Sequence, residues 1–213
     1  MDDMEWTNIL GPLVAIAIVI LLRYVLGKKK KGGAAQTAAG REEFYEHLLA
    51  VGEEVSLTEE NDRRAEIGLG RTSGQRSEGI IRVEDRHLDA INVVNMTSQF
   101  GTSYFLDYLV KTPNLMAGRT PKKTRLVVKK SPPIVGKMTG LQWSGDPALA
   151  KTLSLDYSLE DKLLRAMVGG FSGNILIMPE VKEGYTRIRT DYYPPSADLL
   201  GGLKTIAKYV KAW

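Results

Sequence analysis

The sequence predicts an α+β protein in which one transmembrane helix precedes a single cytosolic domain of antiparallel strands with packed helices. Three observations carry this prediction: an apolar run near the N-terminus, strand-like runs with short spacers, and helical segments after Trp143. Parallel strands need connections of a dozen or more residues, so short spacers favour antiparallel pairing. The predicted parts are an acidic N-terminus (1–8), the helix (9–26), a basic flank with a tether (27–40) and the domain (41–213).

The apolar run over residues 9–26 has the length of a membrane span. Eighteen residues of helix cover about 27 Å, close to the roughly 30 Å thickness of the hydrocarbon layer. The residues at its two ends suit the membrane interfaces, where aromatic rings and cations are common. These flanking residues are Trp6, Arg23, Tyr24, Lys28, Lys29, Lys30 and Lys31.

A cleaved signal peptide is the main alternative, but it carries its positive charge before the apolar stretch. Here Asp2, Asp3 and Glu5 precede the run and the lysines follow it. Cationic flanks stay on the cytoplasmic side, which predicts an external N-terminus and a cytoplasmic C-terminal domain. The small, uncharged residues 32–40 predict a short flexible tether between the two.

The composition limits the chemistry of the domain. The chain has no cysteine, which excludes disulfides, thiolate catalysis and cysteine-ligated metal centres. Its two histidines, His47 and His87, are far apart, so neither a metal site nor a cofactor is expected. A net charge of +4 is mild, and about half of it belongs to the anchor region, so nucleic-acid binding is not expected.

Strand-like runs dominate the first half of the domain and helices the second. The runs that predict strands, the last two as a hairpin, are residues 79–83, 90–96, 103–111, 123–130, 174–178 and 185–190. Helices are expected over residues 41–51 and after Asp146, Ser158 and Ser196, which are residue types common at N-caps. Ser56 and Glu59 have capping-box spacing and predict a short helix, whereas residues 68–79 predict a loop.

The most distinctive stretch of the domain is a basic segment, residues 119–137, which contains no acidic residue. It is a candidate for contact with anionic lipid, with an acidic partner or with a phosphorylated ligand. An edge strand protected by lysines against aggregation is the structural alternative. The candidate residues are Arg119, Lys122, Lys123, Arg125, Lys129, Lys130 and Lys137.

Two further features have both a functional and a structural interpretation. Trp143 precedes a helix start, where it would either anchor a partner or pack in the core under that helix. Residues 84–89 place Asp85, His87 and Asp89 close together, the one local grouping suited to acid–base chemistry. A histidine among charges in a turn is more commonly solvated than catalytic.

No motif is specific enough to assign a family, and three hypotheses about function follow. The first is a membrane-anchored adaptor module or accessory subunit of a membrane assembly, without catalytic activity, that binds a protein partner or a second copy of itself. The second is a domain that binds anionic lipid or a phosphate ligand through the basic segment. The third is an enzyme with scattered active-site residues, whose sign would be a pocket that joins His87 to distant carboxylates.

Overall fold

Within the part of the chain that the structure describes, eight strands form one antiparallel sheet. The computed structural model describes residues 40–58, 62–69, 74–113, 121–132 and 137–212, with only the backbone of Lys137. The strands are β1 (Val55–Leu57), β2 (Gln75–Val83), β3 (Ala90–Ser98), β4 (Gly101–Lys111), β5 (Thr124–Ser131), β6 (Lys137–Ser144), β7 (Ile175–Glu180) and β8 (Tyr185–Asp191). The predicted α+β class with antiparallel strands is confirmed.

The order of the strands across the sheet is β1-β2-β3-β4-β8-β7-β5-β6. Strands β1 to β4 each pair with the next one along the chain. The β7–β8 hairpin then lies between β4 and β5, because β8 pairs with β4 and β7 pairs with β5. The last hairpin in the sequence therefore joins the two halves of the sheet.

The sheet is forked at one end. One row of paired residues, which we call the Asp107 row, crosses β3, β4, β8, β7 and β5 and consists of Asn92, Asp107, Arg189, Leu176 and Arg125. Strand β3 continues six residues past this row (93–98), and β5 also continues six (126–131). Each antiparallel pairing reverses the strand direction, and four pairings separate β3 from β5, so both strands leave the row on the same side. At 3.3 Å per residue each prong extends about 20 Å. We call this end, with its β3–β4 and β5–β6 prongs, the forked end.

Four α-helices lie beside the sheet in the described ranges. They are α1 (Arg41–Ala50), α2 (Pro147–Ser154), α3 (Tyr157–Val168) and α4 (Ala197–Ala212). Helix α4 contacts β4 and β8 and packs against α2 and α3, while α1 contacts β1 and β2. Alternation along the strands places Ile91, Tyr108, Ile188 and Ile177 in one buried row of the sheet.

The opposite face of the sheet is covered by a short 3-10 turn, Arg63–Glu66, and the residues after it. Ile67 packs there in a buried cluster with Ile80, Ala90 and Leu109. The side-chain amide of Asn92 in β3 donates to the carbonyl of Ala65 in the turn, with a nitrogen–oxygen distance of 3.1 Å. The sheet is therefore buried on both faces near its centre.

The helix starts agree with the sequence in two cases and differ in the third. The carboxylate of Asp146 accepts from the backbone N–H of Ala148 and Leu149 at the start of α2, and Ser196 accepts from Leu199 in α4. For α3 the predicted cap, Ser158, is wrong by two residues: Asp156 accepts from the N–H of Leu159 at 2.9 Å. Asp and Ser have similar capping preferences, so local sequence alone does not separate them.

Three elements differ from the sequence-based expectation. Ser56 lies in β1 and not in a helix, because residues 55–57 pair with residues 81–83 of β2. Strand β2 begins at Gln75, within the stretch predicted to be a loop, and pairs with β3. Strand β6 was not predicted and pairs with β5. In all three cases pairing with a neighbouring strand outweighs local propensity.

The predicted membrane anchor, residues 9–26, and its flanking residues Trp6 and Lys28 to Lys31 lie outside the described residues. Among the helices that the structure does describe, none combines the length and the apolar character needed to cross a membrane. The anchor therefore stays a prediction from the sequence.

Truncation of the α3–α4 contact is expected to destabilise the domain. Leu163 of α3 is fully buried and reaches the backbone of α4 near Gly202. We expect Leu163→Ala to lower the free energy of unfolding by about 2–5 kcal/mol, because a buried leucine leaves a cavity when truncated. Val168→Ala on the same helix is the control, since Val168 is 86% exposed. Urea denaturation followed by circular dichroism measures both, and equal losses would contradict the packing.

Acid is expected to weaken the start of α3. The pKa of Asp156 is lowered, chiefly by the hydrogen bond from the N–H of Leu159 and further by the hydroxyl of Tyr209, which outweigh its partial burial. A lowered folded-state pKa gives stability that is present above the unfolded value of about 3.9 and lost as the pH falls through the folded value. We expect Asp156→Asn to flatten the loss of stability below about pH 4, measured by thermal melts across pH. An unchanged pH profile would contradict this role.

Candidate interaction surface

Five cations of the predicted basic segment lie in the described residues, and all five are exposed: Lys122, Lys123, Arg125, Lys129 and Lys130. None of them forms a salt bridge with another described residue. Arg119 lies outside the described residues, and Lys137 begins β6. The segment therefore presents unpaired positive charge to the surroundings of the protein.

These cations do not converge on one point. Alternation along β5 places Arg125 and Lys129 on the face of the sheet opposite the helices. Lys130 lies on the helix side, where it pairs in register with Met138 after an irregularity between Lys129 and Lys130. A small phosphate ligand needs several donors aimed at one place, so this arrangement favours contact with an extended surface.

Strands β5 and β6 form an arm that leaves the sheet. Strand β5 pairs with β7 only through Thr124 and Arg125, and past these two residues it pairs only with β6. A cleft of about 510 Å³ opens where β5 leaves β7, lined by residues 125–128 together with Asn174 and Leu176. We call residues 127–131 and 137–142 the β5–β6 arm. It forms the second prong of the forked end.

An apolar groove lies between β6 and the C-terminal half of α3. Its volume is about 740 Å³, and its walls are Met138, Thr139 and Gly140 from β6, Glu160, Leu164, Arg165 and Val168 from α3, and Gly169 directly after that helix. Val168 is 86% exposed and Met138 37% exposed. Neighbouring apolar side chains that stay exposed are typical of a binding surface. We call this feature the β6–α3 groove.

Strand β6 adds an unpaired strand edge to this groove. It is the last strand in the order of the sheet, so the N–H and C=O groups of its outer edge have no strand partner among the described residues. An open edge of this kind accepts an additional strand from another chain. The groove and the edge together present apolar contacts beside unpaired main-chain groups.

Trp143 lies in β6 at the base of the arm. Its side chain is only 7% exposed, and it pairs in register with Leu126, which is also buried. Helix α2 contacts this strand. The structure thus places Trp143 in the core, as in the second of its two interpretations, and leaves little of the ring accessible to a partner.

A buried charged cluster lies on the face opposite the helices. Asp107 of β4 is completely buried and accepts hydrogen bonds from two arginines of β8. Arg189 binds it with Nε at 2.7 Å and Nη2 at 2.7 Å, and Arg187 binds it with Nη1 at 3.0 Å. Arg187 also donates to Glu180 of β7 at 2.9 Å. Two carboxylates balance two guanidinium groups, so the cluster is neutral as a whole.

This cluster holds its charges inside the fold. Burial alone would lower the pKa of Arg187, but Asp107 and Glu180 outweigh it and raise that pKa, so Arg187 stays charged. Gly68 packs against the Arg187 guanidinium, where a Cβ would lie 2.2 Å from Nε. Sequence reasoning missed the cluster, although alternation in residues 185–190 already places Arg187 and Arg189 on one face.

The residues suited to acid–base chemistry are separated by the fold. The Asp85 carboxylate accepts from the backbone N–H of His87 and Leu88 at 2.8 and 3.0 Å and so holds the β2–β3 turn. Partial burial raises its pKa, but these bonds and Lys204 outweigh that effect and lower it. Asp89 instead pairs with Arg64 on the opposite face of the sheet. Neither the groove nor the cleft described above contains His87.

Comparison with known proteins identified no relative of this chain. No protein-family model matches the chain, and no match was found among curated proteins or solved structures. Within the described residues, no group of three or more histidine, aspartate or glutamate side chains is arranged to hold a metal ion. The geometry of the exposed surfaces is therefore the basis for a functional proposal.

Removal of the Asp107 carboxylate is expected to lower the free energy of unfolding. Asp107→Ala leaves two buried guanidinium groups without their shared partner, and breaking a buried ion pair in this way costs about 3–5 kcal/mol. Asp161→Ala is the matched control, because its salt bridge to Arg165 is exposed and such pairs contribute about 0–1 kcal/mol. Chemical denaturation of both variants measures the difference, and similar losses would show that the cluster does not support the sheet.

Proposed function

We propose that the chain is a membrane-tethered, non-catalytic interaction module that binds an extended segment of a partner protein in the β6–α3 groove. In this role it acts as an adaptor or as an accessory subunit of a membrane assembly. The observation that carries the proposal is the combination of an apolar groove of about 740 Å³ with the unpaired edge of β6. The membrane tether rests on the apolar run of residues 9–26 in the sequence.

The main-chain groups of β6 supply affinity without sequence preference. An extended peptide that pairs with this edge would add a ninth strand to the eight of the described sheet and would satisfy N–H and C=O groups that now face solvent. Alternate side chains of such a peptide point to one face of the sheet. On the helix side those side chains would meet Met138, Leu164 and Val168, which supply apolar contacts.

The charges beside the groove indicate the chemistry of the partner. Glu160 and Arg165, one acid and one base, line the α3 side. Arg165 already pairs with Asp161 and with Asp198 of α4, so its charge is balanced within the domain. Glu160 forms no salt bridge among the described residues, so the groove favours a partner segment with alternating apolar residues and a basic residue that can pair with Glu160.

The absence of cysteine from the chain allows a direct test. A single cysteine at Val168 carries a photo-crosslinker into the groove, and a single cysteine at Leu155 carries it to another exposed apolar position, 63% exposed. The full chain is purified in mild detergent with the protein that co-purifies in stoichiometric amount. We expect crosslinks to the co-purifying protein from position 168 and not from position 155.

A charge in the groove should disrupt the complex. We expect Val168→Glu to lower recovery of the partner about tenfold or more, because a carboxylate without a partner is costly to bury in an apolar contact and 1.4 kcal/mol already gives a factor of ten. Leu155→Glu is the control with the same change outside the groove. Crosslinking to a second copy of the chain would identify the partner segment as its own. A strictly monomeric chain, or equal losses in both variants, would disprove the proposal.

A further inference from the structure

We propose that the forked end of the sheet rests on the anionic cytoplasmic surface of the bilayer, with Phe100 inserted at the headgroup level and the β5–β6 arm against lipid headgroups. This inference rests on the membrane tether of the proposed function. It assigns a second binding surface, for lipid, to the end of the domain where the two prongs project. Its lipid contacts are Phe100 and the β5 side of the arm, with Lys129 and Lys130, whereas Met138, Thr139 and Gly140 on the β6 side line the β6–α3 groove.

The tip of the first prong presents an aromatic ring to solvent. Phe100 lies in the turn between β3 and β4 and is 91% exposed, the highest value among the large apolar side chains that the structure describes as exposed. The hydroxyl of Ser98 accepts from the N–H of Phe100 and donates to the carbonyl of Gly101, each at 3.2 Å. These bonds hold the turn together while the ring points away from it. Aromatic side chains are favoured at the membrane interface.

The described charges on the two prongs are mostly positive, while Asp191, at the end of β8 between them, is acidic. Lys129 and Lys130 lie on the second prong, and Arg76 of β2 lies beside the first, in register with Asn95. Glu78 is the acidic residue among the described side chains of the prongs, and its carboxylate accepts a hydrogen bond from the side-chain amide of Asn95. This excess of cations is complementary to anionic lipid, which attracts basic residues close to the membrane.

The domain begins on the side of the forked end. Arg41, the first residue of α1, lies against Gly79 of β2, where an added Cβ would be 2.6 Å from Arg41 Nη1. From there the chain runs to Glu54, whose carbonyl accepts from the N–H of Glu84 at the opposite end of β2. The described chain therefore starts on the fork side of β2 and reaches the other end of that strand by Glu54.

The lengths involved agree with contact between the fork and the bilayer. The predicted tether has nine residues, 32–40, and a flexible linker of this length has a mean span of about 15–18 Å. Each prong also extends about 20 Å past the Asp107 row. Sheet twist of about 20–25° per strand adds up to about 80–100° over the four pairings between β3 and β5. Each prong therefore leans about 45° from their mean direction and reaches about 14 Å toward a common plane.

The test measures the depth of the fork in the bilayer with single spin labels, which the cysteine-free chain permits. The full-length chain carries Gln99→Cys, beside an intact Phe100, or Lys182→Cys at the β7–β8 connection, which lies at the other end of the sheet. Both are reconstituted in nanodiscs of phosphatidylcholine with and without phosphatidylserine. We expect the label at position 99 to lose most of its accessibility to a water-soluble nickel complex and to gain accessibility to oxygen when phosphatidylserine is present.

The controls distinguish the contributions of lipid charge, the Phe100 ring and the tether to membrane contact. We expect Lys129→Glu with Lys130→Glu, or Phe100→Ser, to restore the water accessibility of the label at position 99, while the label at position 182 stays water-accessible throughout. Equal accessibility at the two positions, or a change independent of phosphatidylserine, would overturn the inference. So would shielding of position 99 that requires a bound protein partner. Extraction of the chain from membranes by carbonate would disprove the tether, and with it this inference. If the chain resists carbonate but the labels at positions 99 and 182 are equally accessible to water, this inference alone is disproved.

Discussion

The pairing of β4 with β8 is the contact on which the rest of the structure depends. Strands β1 to β4 form one half of the sheet and β5 with β6 the other, and the β7–β8 hairpin is what connects them. Seven residue pairs join β4 to β8, and the buried Asp107 ties the two strands further through Arg187 and Arg189. Three charges of this kind are tolerated in the interior because each finds a partner there. The cost of their burial makes this junction sensitive to the loss of any one of them.

The short length of the central hairpin produces the features that face outward. Strands β7 and β8 end close to the Asp107 row, while β3 and β5 continue for about 20 Å, so the sheet divides into two prongs. The β5–β6 arm then has an unpaired edge on each side for part of its length. Such edges invite pairing with other chains, and lysines are a common protection against it. Lys129 and Lys130 fit that protective role, and the same charges are suited to contact an anionic surface.

The fold separates charged residues by whether they find a partner inside the domain. The arginines of β8 are buried and neutralised, and Asp85 and Asp89 are held by partners on opposite faces of the sheet. The cations of β5 are exposed and form no salt bridge among the described residues. The groups that remain available for binding therefore lie at the surface of the domain. They are the apolar groove with its free strand edge and the forked end of the sheet, with its lysines and Phe100. Both suit recognition of a partner or a surface.

Local patterns allowed several elements to be predicted. Runs of β-branched and aromatic residues located β3 and β4, the turn around Gly184 located the β7–β8 hairpin, and a proline after Asp146 located the start of α2. The class followed because short spacers exclude parallel crossovers. The missed strands lacked local signals: β1 has three residues, and β6 follows Pro132 and contains Gly140, residue types that are unfavourable in strands.

The sequence by itself determined the α+β class, most strand positions, the caps of α2 and α4 and the basic character of β5, because these depend on residues a few positions apart. It also predicts the membrane anchor, which lies outside the described residues. Tertiary structure decided the insertion of β7 and β8 between β4 and β5, the charged cluster around Asp107, the burial of Trp143 and the forked end. These depend on which strands pair across more than 70 residues of chain, and that choice is made by the total burial of apolar surface and the pairing of buried charges.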